Sequence, residues 1–393
     1  MTATGIVIAG GGLAAQRAAE TLRRNGHDGP LWMLAGESEL PYDRPPLSKE
    51  FLAGELDERA LRFRGEDWYA DNAIELVLGD PAAQLDVAGR AVVLTSGRRF
   101  RFAQLLIATG SAPRRLPGTA GADNVHELRS LDDARRLRAA LAPGSRVLVV
   151  GAGFIGQEVA STARRLGAEV TIIEAAVAPL AGLLGIELGR WFVRLHREQG
   201  IDVRLSARIA RLHGHRTVAA VELDDGERIA CDTLIVGIGT APTTDWLADS
   251  GLDDRGVLVD ATGATGMPGV YAAGDASRPF DPRLGQHVRS EQWEAAARQG
   301  SAAARAMLGL QTQPAPPPGF WSDLHGVRIQ YVGSPHGAEA IDIDGDPDSR
   351  DFTATYSRRG QPIAALLVSR PHALPELRRR IHDETTTPKR NAA

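Results

Sequence analysis

The chain carries one device twice: Gly151-Ala152-Gly153-Phe154-Ile155-Gly156 near its middle, and Gly10-Gly11-Gly12-Leu13-Ala14-Ala15 close to its start. Before the central copy, the apolar run Arg146-Val147-Leu148-Val149-Val150 reads as a buried strand. After it, Gln157 to Leu166 reads as a helix with Val159, Ala160 and Ala163 on one face. Glycines at such a strand-to-helix turn let the backbone bend tightly and approach a pyrophosphate, whose charge rests on the unpaired N–H groups of the helix N-terminus. The next strand, Val170-Thr171-Ile172-Ile173, ends in Glu174, an acid at the spacing expected for gripping a ribose hydroxyl. The early copy follows the same order. The strand Gly5-Ile6-Val7-Ile8-Ala9 leads into the turn, a helix runs through Gln16, Ala19 and Leu22 to a stop at Asn25-Gly26, and Leu31-Trp32-Met33-Leu34 leads to Gly36-Glu37. Glu37 is placed for the ribose of an adenine dinucleotide, its alternative being an ordinary loop acid.

The chain has 393 residues, more than one hydrophobic core usually serves, so two or three domains are expected. A net charge of −4 gives no basic surplus, which argues against nucleic acid or an anionic membrane as the main partner. The one cysteine, Cys231, excludes an internal disulfide, a CxxC relay and any cysteine-rich metal site, and its place at the head of an apolar strand predicts a buried, inert thiol. No metal site is expected. Neither a signal peptide nor a bilayer-length apolar run is seen, so a soluble cytoplasmic protein is expected.

Between the two turns lies Leu40-Pro41-Tyr42-Asp43-Arg44-Pro45-Pro46-Leu47-Ser48-Lys49, too rich in proline for a helix and too apolar for a floppy linker. It can present Arg44 and Lys49 at defined positions, or be a solvated basic loop. The string from Pro41 to Lys49, downstream of one fingerprint and upstream of another, resembles the NADH-dependent ferredoxin reductases of bacterial oxygenase systems. These are FAD enzymes that feed electrons through a small [2Fe–2S] ferredoxin to Rieske dioxygenases or cytochromes P450. The resemblance implies that Lys49 lies close to the flavin ring and that Arg44 helps to hold FAD.

Further matches follow in family order and cover nearly the whole chain. Leu105-Leu106-Ile107-Ala108-Thr109-Gly110 resembles the turn that closes over FAD and starts the crossover into the NAD domain, and Leu234 to Thr240, with Gly237, Ile238 and Gly239, resembles the crossover back. Arg129 matches an arginine that contacts FAD in the family, or is a helix-leading surface charge. Ala82 takes a position where the family lays backbone against the adenine. In Gly269-Val270-Tyr271-Ala272-Ala273-Gly274-Asp275 the carboxylate of Asp275 can accept from a ribityl hydroxyl. The stretch Arg289 to Gly300, including Glu291 and Gln292, reads as a helix with Trp293 aligned to a position touching flavin, or with an ordinary core tryptophan.

The expected architecture is therefore α/β: two Rossmann-like dinucleotide-binding domains, for FAD and NAD, plus a small α+β C-terminal domain. The FAD domain comprises residues 1–111 and 243–312, the NAD domain 112–242 and the C-terminal domain 313–393. The last begins with a proline-rich linker, Gln313 to Gly319, and Phe320-Trp321-Ser322-Asp323, where Trp321 serves the flavin edge or merely pins the domain. An antiparallel sheet and a basic helix from Leu374 to His382 follow, and a frayed tail is expected after Glu384.

NADH gives up a hydride, whereas an iron–sulfur cluster accepts one electron, so a carrier able to do both must stand between them, and flavin is such a carrier. Relatives that reduce disulfides or peroxides place reactive cysteines near the flavin, and this chain has none there, so electrons are expected to leave by the flavin edge. Lys49 is expected to pair with Glu158, an acid the family sets near the nicotinamide carboxamide, unless Glu158 is a solvated helix residue. Glu174, followed by Ala175-Ala176 with no base, predicts NADH over NADPH. Arg62, Arg64, Arg298 and Arg305 are candidates for a patch facing an acidic carrier. Two alternatives on the same scaffold stay open: a reductase of rubredoxin or another acceptor, and an NADH-sensing flavoprotein resembling apoptosis-inducing factor.

Overall fold

The computed structural model describes residues 4–252, 255–281, 285–312 and 316–386, and the chain divides into two compact units. Of the expected linker, Gln313 to Ala315 lie outside the described residues, as do residues 387–393 of the expected tail.

The first unit comprises residues up to Asp43, Leu61–Ala112 and Ala241–Gly319. Its core is a parallel sheet in the order Ile74–Val77, Leu31–Leu34, Gly5–Ala9, Arg99–Ile107, Val270–Ala272. Gly5–Ala9 is buried along its whole length, as a central strand covered on both faces must be. The helix Leu13–Arg24 follows the glycine turn and ends at Asn25, with Gly26 at φ +85°. A second helix, Trp293–Met307, packs against it, and Ala14, Ala18, Ala296, Ala303 and Ala304 share their common core. This helix starts four residues later than expected. The chain leaves the pairing of Gln286–His287 with Phe280–Asp281 and is still extended at Gln292 (φ −87°, ψ 140°), so the helix begins at Trp293.

The second unit comprises Arg44–Ala60, Pro113–Thr240 and the chain from Phe320 onward. Its parallel sheet runs Asp202–Leu205, Glu169–Glu174, Arg146–Val150, Thr233–Val236, Val125–His126. A three-stranded antiparallel sheet comprises Ile209–Gly214, Val218–Leu223 and Arg228–Ala230, the turn at 224–227 joining the last two. A five-stranded antiparallel sheet closes the unit in the order Gly319–Leu324, Val327–Gly333, Gln361–Val368, Asp351–Arg358, Ala340–Asp346. The helix Leu374–Thr386 lays Leu377 and Ile381 on Val332, Ala365 and Leu367. The helix Ile186–Glu198 packs Leu188, Trp191, Phe192 and Leu195 against the other face.

The proline-rich string forms one short 3-10 turn, Pro45–Ser48. Prolines suit the first positions of such a turn, because the missing N–H would have had no partner there. Residues 44–60 belong to the second unit through Leu52, which packs with Val147, Val149 and Val159, and through Arg135–Glu58 and Arg165–Glu55 ion pairs. Among the described residues, no helix is long and apolar enough to cross a membrane.

Cys231 is buried, its thiol donates to the Val218 carbonyl at 3.5 Å, and burial pushes its pKa up to about 11. Native protein at pH 8 is expected not to react with a thiol-specific disulfide reagent, and denatured protein to release one equivalent. Rapid native labelling would show that the link between Ala230 and Thr233 opens.

Candidate functional site

In the second unit, two close approaches shape the glycine turn. A side chain at Gly151 (φ +99°) would meet the Gly237 carbonyl at 2.4 Å, and one at Gly156 would lie 2.1 Å from the Gly151 carbonyl. Gly153, by contrast, has only the Gly237 carbonyl within 4.0 Å of the Cβ position, so the helix N-terminus opens forward. Glu174 closes the turn from the side: its Oε2 accepts the Ala152 N–H at 2.7 Å and its Oε1 the Ala176 N–H at 2.8 Å. Ile155 and Ile238 are exposed apolar side chains on the helix and the Gly237-Ile238-Gly239 crossing. Open donors, a fixed acid and apolar residues fit a dinucleotide such as NADH.

On the same helix, Glu158 is 4% exposed and therefore no solvated residue. Its Oε1 lies 3.0 Å from Lys49 Nζ and accepts from Ser322 Oγ at 2.7 Å, while Oε2 accepts from Ser48 Oγ at 2.5 Å. Lys49, itself 9% exposed, also donates to the Pro45 carbonyl at 3.2 Å. Thr162 Oγ1 donates to the Ser48 carbonyl at 2.7 Å, which holds the 3-10 turn on the helix. The structure thus brings Lys49 and Glu158 together as a buried, hydrogen-bonded ion pair. Ser48 and Ser322, which complete it, stand inside the quoted strings, but nothing in their local sequence marks them as carboxylate donors. Arg44 donates to the Arg129 carbonyl at 2.6 Å, and the Arg328 guanidinium lies 5.5 Å from the half-buried Trp321 ring.

In the first unit the cradle repeats. A side chain at Gly10 (φ +138°) would lie 2.1 Å from the Ala108 carbonyl, and nothing stands within 4 Å of the Cβ position at Gly12. Ala15 is fully buried behind them. Glu37 Oε2 accepts from Tyr42 Oη at 2.5 Å, and the strand Ala82–Asp86 starts beyond the Gly79 N–H bond to the Glu37 carbonyl. Thr109 Oγ1 donates to the Thr243 carbonyl at 2.6 Å. Asp275 is buried and accepts from Ser111 Oγ at 2.8 Å, and Gln299 Oε1 accepts the Gly274 N–H at 2.7 Å. Trp293 Nε1 donates to Asp43 Oδ1 at 2.6 Å, and the exposed Glu291 pairs with Arg289. Ser290 Oγ and Gln292 Oε1 are buried polar atoms with no hydrogen-bond partner. Such atoms are costly unless something else satisfies them, and together with the open glycine cradle of the same unit they fit a large polar cofactor. Of the candidate arginine patch, Arg64 is tied to Glu20 at 3.0 Å and Arg305 to the Gln311 carbonyl at 2.8 Å, so both have structural duties.

Residues 4–300 match the pyridine nucleotide-disulphide oxidoreductase family, and residues 319–393 match the reductase C-terminal family. The chain belongs to the pyridine nucleotide-disulphide oxidoreductases. Both glycine cradles lie within the residues matched to this family. Among curated relatives, the chain is 37% identical to the anthranilate 1,2-dioxygenase system ferredoxin–NAD(+) reductase component of Burkholderia cepacia, over 94% of this chain and 92% of that one. It is 39% identical to the biphenyl dioxygenase system counterpart of Paraburkholderia xenovorans, over 92% and 86%. Among solved structures, it superposes with a TM-score of 0.93 and 31% identity on the reductase of the covalent putidaredoxin reductase–putidaredoxin complex, covering 97% of this chain and 93% of that one. A ferredoxin reductase for the CYP199A2 system of Rhodopseudomonas palustris matches with a TM-score of 0.89 and 33% identity, over 93% and 91%.

Proposed function

We propose that this protein is an FAD-dependent NADH:ferredoxin oxidoreductase, passing electrons from NADH through flavin to a [2Fe–2S] ferredoxin that serves a Rieske dioxygenase or a cytochrome P450. The observation that carries the reading is the thiol inventory of a pyridine nucleotide-disulphide oxidoreductase whose only cysteine is buried between the strands Arg228–Ala230 and Thr233–Val236 with its pKa raised. No disulfide can accept the electrons. The relatives, named as ferredoxin reductases and matched over more than nine-tenths of this chain, support an iron–sulfur acceptor. We place the protein in the cytoplasm, where NADH is supplied.

FAD, when bound, takes two electrons as a hydride and releases them singly. Gly10, Gly12, Leu13, Ala14, Ala15, Glu37, Ala82, Ala108, Thr109, Gly110, Gly274, Asp275, Glu291, Gln292 and Trp293 would hold it, with Arg44, Lys49 and Arg129. The turn from Gly151 to Gly156, with the N–H groups at the start of the helix Phe154–Arg165, would hold the NADH pyrophosphate, with Glu174 on the ribose and Gly237 to Gly239 alongside. Glu158 already accepts three hydrogen bonds, and a carboxylate has room for about four. The remaining acceptor site suits a carboxamide N–H. Lys49, fixed by Glu158 and the Pro45 carbonyl, supplies a positive charge in a water-poor setting, where it stabilises negative charge without reorganising. Trp321 is assigned to the electron exit.

The test is anaerobic mixing with NADH while flavin absorbance is followed, then addition of plant-type and Rieske-type [2Fe–2S] ferredoxins. Rapid bleaching followed by fast reduction of one ferredoxin is expected. Bleaching without transfer to any ferredoxin would move the assignment to another acceptor.

Cofactor choice follows from Glu174. A 2′-phosphate would meet a carboxylate whose two oxygens are held in place by backbone N–H groups, and like charges so placed cost several kcal/mol. A kcat/KM for NADH about a hundredfold above that for NADPH is expected. A lower KM for NADPH at equal turnover would overturn it.

A further inference from the structure

Behind the second glycine turn runs a polar chain that the electron-transfer reading does not use. Gln157 is fully buried and its Nε2 donates to the Ala152 carbonyl at 3.0 Å. Gln157 Oε1 faces His196 Nε2 at 3.0 Å, His196 Nδ1 faces His325 Nε2 at 3.0 Å, and His325 Nδ1 faces Ser161 Oγ at 3.2 Å. The Ser161 oxygen in turn accepts the His325 backbone N–H at 2.9 Å. Gln157 and Ser161 stand one turn apart on the helix Phe154–Arg165, His196 on the helix Ile186–Glu198, and His325 between two strands of the C-terminal sheet.

The order of protons is forced from the carbonyl end. Because Gln157 donates to Ala152, its oxygen must accept, so His196 carries its proton on Nε2. Its Nδ1 then accepts, so His325 also carries its proton on Nε2, and Ser161 must donate to His325 Nδ1. This order requires both rings to be neutral. Burial holds His196 down to about 3, with His325 as the second cause, and His325 down to about 4, with Arg350 as the second.

His325 holds this place against its own backbone preference. It and Gly326 form the two-residue link between Leu324 and Val327, at φ +52° and +77°. Such a pair belongs to the I′ hairpin turn, where Asn, Asp or Gly fits better than an imidazole. The ring is therefore present for what it touches.

We infer that His325 and His196 are positioning residues for NADH: through Gln157 they fix the peptide between Ala152 and Gly153, and so the donors of the dinucleotide turn. In a planar trans peptide the carbonyl and the N–H point opposite ways, so a carbonyl held by Gln157 aims the Gly153 N–H away from it. The N–H of Ala152 is pinned separately on Glu174. The glycine at 153 eases a flip of this peptide, and the relay removes that freedom before the ligand arrives, which lowers the ordering cost of binding. The inference rests on the assignment of NADH to this turn.

His325→Asn tests it. Asn sets its amide near the Nδ1 position, has nothing at the Nε2 position, and suits the turn. Calorimetric titration with NAD+ and with ADP-ribose is expected to give a Kd about five- to tenfold weaker, with an unlowered thermal midpoint, unchanged FAD content, and flavin reduction at saturating NADH within about twofold of the parent. His196→Gln cuts the same link, and the double variant is expected to be no weaker than either single one. An unaltered Kd in both variants, with tight binding by the parent, overturns this inference alone. A lowered midpoint with parallel loss of binding and turnover also overturns it, since that is what a purely structural role gives. Failure of the parent to bind NAD+, NADH or ADP-ribose overturns the assignment of NADH itself, and this inference with it.

Discussion

Replacing Lys49 by alanine is expected to cost about 3–5 kcal/mol of stability and to slow flavin reduction by NADH on the order of a hundredfold. The first figure follows from what is left behind. Glu158 is 4% exposed, and with the ammonium 3.0 Å away removed, only two serine hydroxyls face its charge. Hydroxyls stabilise a buried carboxylate far less than a paired cation does. The two effects separate in the double variant Lys49→Met with Glu158→Gln. The glutamine can still accept from Ser48 or Ser322, no charge remains unpaired, and most of the stability is expected to return. Flavin reduction should stay slow, because the fixed positive charge is still missing. Urea denaturation and anaerobic stopped flow read the two quantities independently. Unchanged flavin reduction in Lys49→Ala would take Lys49 out of the electron path.

That pair also marks how far the sequence could be read. The two glycine turns are legible because their physics is local: the strand, the bend and the helix N-terminus lie within about twenty residues, and the first glycine of each turn is demanded by a carbonyl at a neighbouring strand end, Gly10 by that of Ala108 and Gly151 by that of Gly237. The C-terminal strands are legible for the same reason, since alternation is a short-range signal. The surroundings of Glu158 are not local. Ser48 and Ser322 reach it from 110 and 164 residues away, and no periodicity on the helix distinguishes a carboxylate about to be covered from one left in water. The pairing with Lys49 was available only through the resemblance. His196 and His325 were silent in the same way, being 129 residues apart and individually unremarkable. The late start of the helix at Trp293 has a similar origin: Arg289 to Gln292 have adequate helix propensity, and the strand pairing before them decides otherwise.

Gly300 is the other position where the sequence held a signal and its meaning lay elsewhere. A glycine inside the helix Trp293–Met307 costs helical stability, so its presence there points to a close approach. The approach is to the helix Leu13–Arg24 of the cradle proposed for FAD: a Cβ on Gly300 would lie 2.1 Å from the Ala14 carbonyl oxygen, 2.9 Å from its carbon and 3.0 Å from its Cα. All three are backbone atoms that no rotamer change can move. Gly300→Ala must therefore push the helix Leu13–Arg24 away from its neighbour, at the end where Gly12 and Leu13 open the cradle. Overpacking of this kind costs about 1–3 kcal/mol or more, against the roughly 1 kcal/mol that alanine would contribute in an unobstructed helix. The expected result is a purified variant with most of its FAD lost and a lowered thermal midpoint that excess FAD partly restores, because ligand binding draws the displaced helix back by mass action. The turn proposed for NADH lies in the other unit, and its affinity for ADP-ribose should be retained. A Gly300→Ala protein that keeps full FAD and gains stability would mean that the two helices have room to part.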